Sequence, residues 1–381
     1  MPVLAANPQL GSAGRPQPQT PSGSAGGPWI RYARTASRVG IGPLATAFGG
    51  GPITQPLPSA PGYARRLVNV NTVSGATSTT TSAFAADAPW NLFNPIQFKD
   101  PWGTPVITGD GYSILFVAAK YGGQMGVLAA ADRSSLPSFS TTTATGAGGG
   151  GFQFTSGIPQ EGTKGYGVIS IGNASVMPTL LAQIVPSSVF YANAPSTLGT
   201  PQVTFDWEYY DVDPSNPVAP PGNGTTFQLV VVQGNQTVGA ASSTRVQLPR
   251  TGGYLTSEIF IVRDSTNARQ DAFNSTGRIR LYVDGVPRFD DTFLELQDRM
   301  FEDFQTTRPT GVLCYNFKDS LARLQLGLLD TLETAMQTNP GTLVELEVTP
   351  WGSQGTGPYT VNNVQIQVVP AGMLAQGLVE A

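Results

Sequence analysis

Alternation with a period of two runs through most of this chain and constrains its fold more than any other feature. Val203, Phe205, Trp207 and Tyr209 are interleaved with Thr204, Asp206, Glu208 and Tyr210, and Val364, Ile366 and Val368 with Gln365 and Gln367. Successive side chains of an extended backbone point to opposite faces, so each stretch predicts a strand with one buried and one wet face. The same reading covers "GYSILFVAA" (111–119), "YGVISIG" (166–172), "TFQLVVVQG" (226–234), "SEIFIVRD" (257–264), "RIRLYVDG" (278–285) and "TLVELEVTPW" (342–351). Clusters such as "DVDPSNPVAPPGNG" (211–224) and "STGR" (275–278) supply the turns between them.

Helical signals are few. "DTFLELQDRMFEDF" (291–304) gathers Phe293, Leu296, Met300, Phe301 and Phe304 on one face and opens with a capping box from Thr292 to Glu295. "SLARLQLGLLDTLETAM" (320–336) is a second candidate, weakened by Gly327. Many strands, long loops and few helices predict an all-β sandwich protein. One sandwich needs about 100 residues, so the chain holds two. The eight-stranded jelly roll is the sandwich that tolerates such long loops.

Residues 1–63 stand apart, because 22 of them are Gly or Pro, a density that neither nucleates a helix nor pairs as a central strand. This predicts an extended N-terminal arm over 1–63, jelly rolls over 64–200 and 201–371 with the seam just before "PQVTFDWEYYDV", and a C-terminal tail over 372–381. Charge divides in the same place. Residues 1–66 carry six arginines and no acid, or +6, which leaves −10 for the remainder of a chain whose net charge is −4. Trp29, Arg31, Tyr32, Arg34 and Arg38 interleave aromatic with basic groups and mark the arm's interaction segment. Near an anionic lipid surface each basic group is worth about 1 kcal/mol, and Trp and Tyr favour the interface. A groove on a neighbouring subunit, a membrane surface and nucleic acid all suit the pattern, and so does a solvated tail.

Composition excludes whole classes of chemistry. With no histidine and a single cysteine, Cys314, the usual zinc, haem and iron–sulfur ligand sets cannot be assembled from this sequence. Neither can a Ser-His-Asp or Cys-His nucleophile. The start, Met1-Pro2-Val3-Leu4, lacks the pattern of a signal peptide, and no run of about 18 apolar residues is present, so the expectation is a soluble cytoplasmic product.

The remaining motifs favour structural readings. "GAGGGG" (146–151) satisfies a dinucleotide-binding pattern formally but lacks the helix that would hold a phosphate, so it reads as a surface loop. Asp211 and Asp213 in "DVDPSN" form a weak calcium candidate without the glycine and distal glutamate of an EF-hand, and an Asx/Pro turn explains them as well. "FDD" (289–291) could pair acids with Glu295 or Glu302 for glycoside hydrolysis, but its place at a helix start points to capping. Cys314 in "GVLCYNF" reads as a buried small hydrophobe. Four Asn-x-Ser/Thr matches, at Asn173, Asn223, Asn235 and Asn274, read as loop markers.

Four longer stretches carry a resemblance. "TTSAFAADAPWNLFNPIQFKDPWGTPVITGDGYSILFVAAKYGG" (80–123), "STRVQLPRTGGYLTSEIFIVRD" (243–264), "RIRLYVDGVPRFDDTFLELQDRMFEDF" (278–304) and "TGVLCYNFKDS" (310–320) resemble the double jelly-roll major capsid proteins of tectivirus-like bacteriophages, the adenovirus/tectivirus capsid lineage. The resemblance spans about residues 64–370 and carries no catalytic signature. It implies two consecutive eight-stranded jelly rolls with a few short helices, and homotrimers that act as pseudo-hexameric capsomers of an icosahedral shell around an internal membrane and double-stranded DNA. It further implies contacts with neighbouring capsomers and with minor capsid or penton proteins. The arm would touch the membrane or a membrane-side protein, and nucleic acid would not be bound sequence-specifically. The expected place is the virion, after synthesis in a bacterial cytoplasm. The arm departs from the family in lacking an N-terminal amphipathic helix. No enzyme activity, cofactor or metal is expected. A trimeric receptor-binding or fibre protein and a carbohydrate-binding β-sandwich remain alternatives.

Overall fold

The computed structural model describes, apart from isolated positions, residues 34–59, 62–74, 82–118, 142–143, 150–157, 177–211, 226–239, 245–248, 253–304, 307–317, 336–351 and 357–370. Among these, sixteen strands carry the architecture. The first eight are β1 (Arg34–Ala45), β2 (Ile53–Pro56), β3 (Gly62–Ser74), β4 (Phe93–Lys99), β5 (Pro105–Gly109), β6 (Gly150–Gly157), β7 (Thr179–Ile184) and β8 (Thr200–Asp211). The second eight are β9 (Thr226–Val238), β10 (Arg245–Gln247), β11 (Gly253–Arg263), β12 (Phe273–Val283), β13 (Val286–Thr292), β14 (Val312–Asn316), β15 (Val344–Trp351) and β16 (Tyr359–Pro370).

Their pairing repeats one pattern twice. In the first set the sheets run β1-β8-β3-β6 and β2-β7-β4-β5; in the second, β14-β11-β16-β9 and β10-β15-β12-β13. Each set therefore places its first, eighth, third and sixth strands in one sheet and its second, seventh, fourth and fifth in the other. That is the strand order of a jelly roll, and the chain is a double jelly roll.

The boundaries differ from those expected from composition. β1 lies inside the Gly/Pro-rich segment yet pairs with β8 from Arg34↔Asp211 to Ala45↔Gln202, and β2 pairs with β7. Backbone hydrogen bonds do not depend on side-chain type, and the ladder absorbs Pro43 and its neighbours through register shifts between Thr35 and Arg38 and between Ile41 and Leu44. The first roll thus occupies 34–211, the second 226–370, and the expected seam between Thr200 and Pro201 would have cut β8 from its partners β1 and β3.

One parallel ladder sets the relation between the rolls. Val230 and Val231 of β9 pair with Ile107 and Thr108 of β5, while the pairings inside each roll are antiparallel. In the first roll the short connection over 46–52 turns the chain back, so β1, β3, β5 and β7 run toward one end, here the loop end. β9 runs parallel to β5, so the second roll points the same way. The chain enters β1 and leaves β16 at the opposite end.

A helical segment, Tyr112–Ala118, fills the space between the rolls, and all seven of its residues are buried. The expected strand over 111–119 is corrected here. An unbroken apolar run does not distinguish helix from strand by its period. Asp110 tips the balance by accepting from the Ser113 backbone N–H at 3.0 Å and from its hydroxyl at 2.6 Å. Ile259, Ile261, Val364 and Ile366 belong to the same core as this segment, whereas Phe260, Val262, Leu313 and Val361 belong to the core of the second roll. β11 is consequently buried on both faces, and so are Gln365 and Gln367 of β16, in place of the expected wet face.

Helix Phe293–Phe304 covers the loop end of the second roll with Leu296, Met300 and Phe304 buried, but Phe301 is 54% exposed rather than on the core face. The capping box is formed: Thr292 N–H donates to Glu295 Oε2 at 2.6 Å and Glu295 N–H to Thr292 Oγ1 at 3.2 Å. The helix candidate over 320–336 lies outside the described residues as far as position 335, and Met336 begins a short strand on β11. Asn235 and Asn274 sit in β9 and β12 rather than in loops. Of the expected strand over 166–172, only Ile169 and Ile171 are described; Ala64 N–H donates to the Ile169 carbonyl at 2.9 Å and Ile171 N–H to the Gly62 carbonyl at 3.0 Å, at the start of β3.

Candidate functional site

The joint between the rolls at the loop end is the most elaborate side-chain arrangement among the described residues. Asp87, from the β3–β4 connection of the first roll, holds two guanidinium groups of the second. Its Oδ2 lies 2.5 Å from Arg263 and its Oδ1 accepts from Arg269 Nε at 2.7 Å. The Tyr112 ring stands 5.6 Å from the Arg263 guanidinium carbon and 4.9 Å from that of Arg269, so a π-face assists the one carboxylate shared by two cations. Arg263 also donates to the Asn267 carbonyl at 3.1 Å and Arg269 to the Thr310 carbonyl at 2.9 Å. The Asp87–Arg269 bond crosses a sequence separation of 182 residues, so no local pattern announces it.

The loop between β11 and β12 is shaped by Asp264. Its Oδ1 accepts from Thr266 N–H at 2.9 Å, Thr266 Oγ1 at 2.6 Å and Ala268 N–H at 3.0 Å, and its Oδ2 from Gln270 Nε2 at 3.0 Å. Burial pushes this carboxyl up, but the hydrogen bonds from Thr266, Gln270 and Ala268 outweigh it and hold it below the usual aspartate value. Next to it Arg308 clamps Asp271 through two bonds of 2.8 and 2.9 Å, and Asp271 also accepts from Gly311 N–H at 2.7 Å. A pocket of about 780 Å³ opens at this joint, with walls from both rolls.

A second polar group lies inside the second roll. Glu258 of β11 is fully buried and accepts from Asn363 Nδ2 and Gln365 Nε2, each at 2.6 Å. Burial pushes its carboxyl up to about 8, against the pull of the two amide bonds.

The residues singled out from sequence are not gathered into one site. Trp29, Arg31, Tyr32 and Asp213 lie outside the described residues. Arg34 and Arg38 are in β1, in register with Asp211 and Glu208 of β8, so part of the expected arm segment is a strand of the fold. Asp211 ends β8, and no group of three or more metal-type side chains occurs among the described residues. Of the Gly146–Gly151 run, Gly150 and Gly151 open strand β6 where a nucleotide site would need a helix. Asp290 pairs with Arg278 and Arg280, both at 3.1 Å, and Asp291 is bound by Arg299 at 2.8 and 3.1 Å. These aspartates thus anchor the strand before the helix, while capping falls to Thr292. Cys314 is buried, with its Sγ 3.9 Å from the Tyr121 carbonyl oxygen.

No protein-family model matches the chain, and no curated protein sequence does. Solved structures do. A chain of the Sulfolobus turreted icosahedral virus superposes with a TM-score of 0.58 at 12% identity, covering 89% of this chain and 93% of that one. A chain of the PBCV-1 virus capsid gives 0.57 at 11% identity, covering 90% and 96%. The major capsid protein P2 of bacteriophage PM2 gives 0.50 at 10% identity, covering 87% and 98%. The likeness extends over both rolls and establishes the shared double jelly-roll fold.

Proposed function

We propose that this double jelly-roll chain is a major capsid protein. The observation that carries the reading is the repetition of one strand order in two rolls that stand parallel within a single chain. Three copies then supply six similar wall elements, and a three-fold object fills a lattice site with six neighbours. Viral coat proteins with the same fold support the same role here. The trimeric capsomer, the icosahedral shell, and the membrane and double-stranded DNA within it complete the proposal.

Sidedness supports it too. Segment 1–33, which carries Arg15 and Arg31 and no acid, joins the fold at the end opposite the loops, where it can reach a layer beneath the shell while the loops face outward. Function on this reading lies in contacts between copies, and the tightly paired acids of the fold serve structure rather than catalysis.

Light scattering combined with negative-stain imaging of the purified protein tests the proposal. Trimers of hexagonal outline, or shells built from them, are expected. A monomer at every concentration would overturn it.

A further inference from the structure

We infer that the junction between the two rolls of one chain is repeated between chains, with β13 of one copy lying alongside β1 of the next. The inference rests on the capsomer reading above and names the surface that it needs. Inside the chain the junction joins two sheet edges: β5, the fifth strand of the first roll, and β9, the first strand of the second, pair through Ile107 and Thr108 with Val230 and Val231. The other fifth strand, β13, and the other first strand, β1, are also sheet edges, and neither has a further strand beside it among the described residues. An open edge presents a row of backbone N–H and C=O groups that templates pairing with another chain. Val286, Pro287, Arg288 and Asp290 of β13 are exposed. Pro287 withholds one donor, but Pro105 does the same at the head of β5, which still pairs with β9. A rotation about an axis along the strands keeps their sense, so β13 and a neighbour's β1 run parallel, as β5 and β9 do.

The helical segments that follow β5 and β13 carry the same parallel. Tyr112–Ala118 comes just after β5 and packs on β9, β11 and β16 of the second roll, with all its residues buried. Phe293–Phe304 comes just after β13 and buries Leu296, Met300 and Phe304 against its own chain, but leaves Leu294 and Phe301, two turns apart on its outer side, 56% and 54% exposed. Large apolar side chains grouped at the surface mark a place of contact. The strands that correspond to β9, β11 and β16 are β1, β3 and β8, so the next copy's first roll is the matching surface for this stripe. Charge favours the match. Glu295, Asp298 and Glu302 are exposed on the helix, whereas β1 and β3 carry Arg34, Arg38, Arg65 and Arg66 and no acid, with Asp206, Glu208 and Asp211 on β8 between them. Three such contacts close a ring of six rolls.

Cysteine cross-linking of the full chain with a short bismaleimide tests the inference, the native Cys314 being buried. Arg288→Cys in β13 is produced together with a second copy carrying Arg34→Cys, Arg38→Cys or Gly40→Cys in β1. At least one combination should give a link between β13 of one chain and β1 of another that no single variant gives alone. A chain carrying both changes of that combination should close into covalent species of three chains. Leu294→Asp and Phe301→Asp, at exposed positions, should each weaken association about tenfold or more, the worth of one buried large side chain, with an unchanged circular dichroism spectrum. Trimers in light scattering that give no link from β13 to β1, or only links from β13 to β13, overturn the inference and leave the capsomer reading standing. A monomer at every concentration overturns both. Association that neither aspartate weakens also overturns the inference.

Discussion

Glu258 and Gln365 face each other across β11 and β16, with Gln365 Nε2 donating to Glu258 Oε1 at 2.6 Å inside the second roll. Among the described residues no cation pairs with this carboxyl, and burial raises it to about 8 from an ordinary 4.5. The folded state then holds a proton that the unfolded chain releases, so stability is fully present below about pH 4.5 and falls as pH rises toward 8. Denaturant midpoints should decline from about pH 5 to about pH 8, and Glu258→Gln should flatten that slope. An unchanged slope in the variant would refute the account.

Asp87→Ala would strip the shared anion from two nearly buried guanidinium groups. Removing one partner of a buried pair costs about 3–5 kcal/mol, and the side-chain exposures of 12% for Asp87, 11% for Arg263 and 16% for Arg269 put this joint in that regime. Because the bonds join the rolls, urea unfolding of the variant should split into two transitions. A single transition at the original midpoint would show that apolar packing alone holds the joint.

Thr292→Ala should cost about 1 kcal/mol, the usual value of an N-cap. Glu295→Gln keeps a side chain that can reach back to the Thr292 N–H, so it should cost less. Thermal unfolding of the two variants reads the difference directly.

Gly311 and Gly285 make a matched pair. Both have positive φ, +74° and +78°, but a Cβ on Gly311 would lie 2.7 Å from the Val262 carbonyl oxygen, whereas one on Gly285 meets nothing within 4 Å. Gly285→Ala should therefore cost only the left-handed conformation, about 1–2 kcal/mol, and Gly311→Ala clearly more. Equal midpoints for the two would remove the steric explanation.

Deleting residues 1–33 should leave both rolls folded while impairing shell assembly or attachment to the layer beneath. Deleting residues 1–60 removes β1 and β2 and should unfold the first roll. Circular dichroism together with particle imaging separates the two outcomes.

The fold is readable where one strand face is wet. The alternation in 203–209 matches Val203, Phe205 and Tyr209 buried in β8, and the capping box and Cys314 stand as their local patterns indicate. Reading fails where the environment is set by distant chain. Gly and Pro hide β1, because its partner β8 lies more than 150 residues away, and nothing beside Glu258 marks its strand as a wall shared by two cores. The one local clue there is the unbroken apolar run Ile259–Val262, which marks a strand buried on both faces. The joint is invisible in the sequence, since nothing near Asp87 indicates Arg263 or Arg269.

The parallel ladder between β5 and β9 makes the molecule an address label with two separate fields. The loop over residues 264–272 and the end of β16 at Pro370 lie at opposite ends of the same chain. In any closed layer built from it, one would be displayed and the other enclosed, in a copy number fixed by the layer itself.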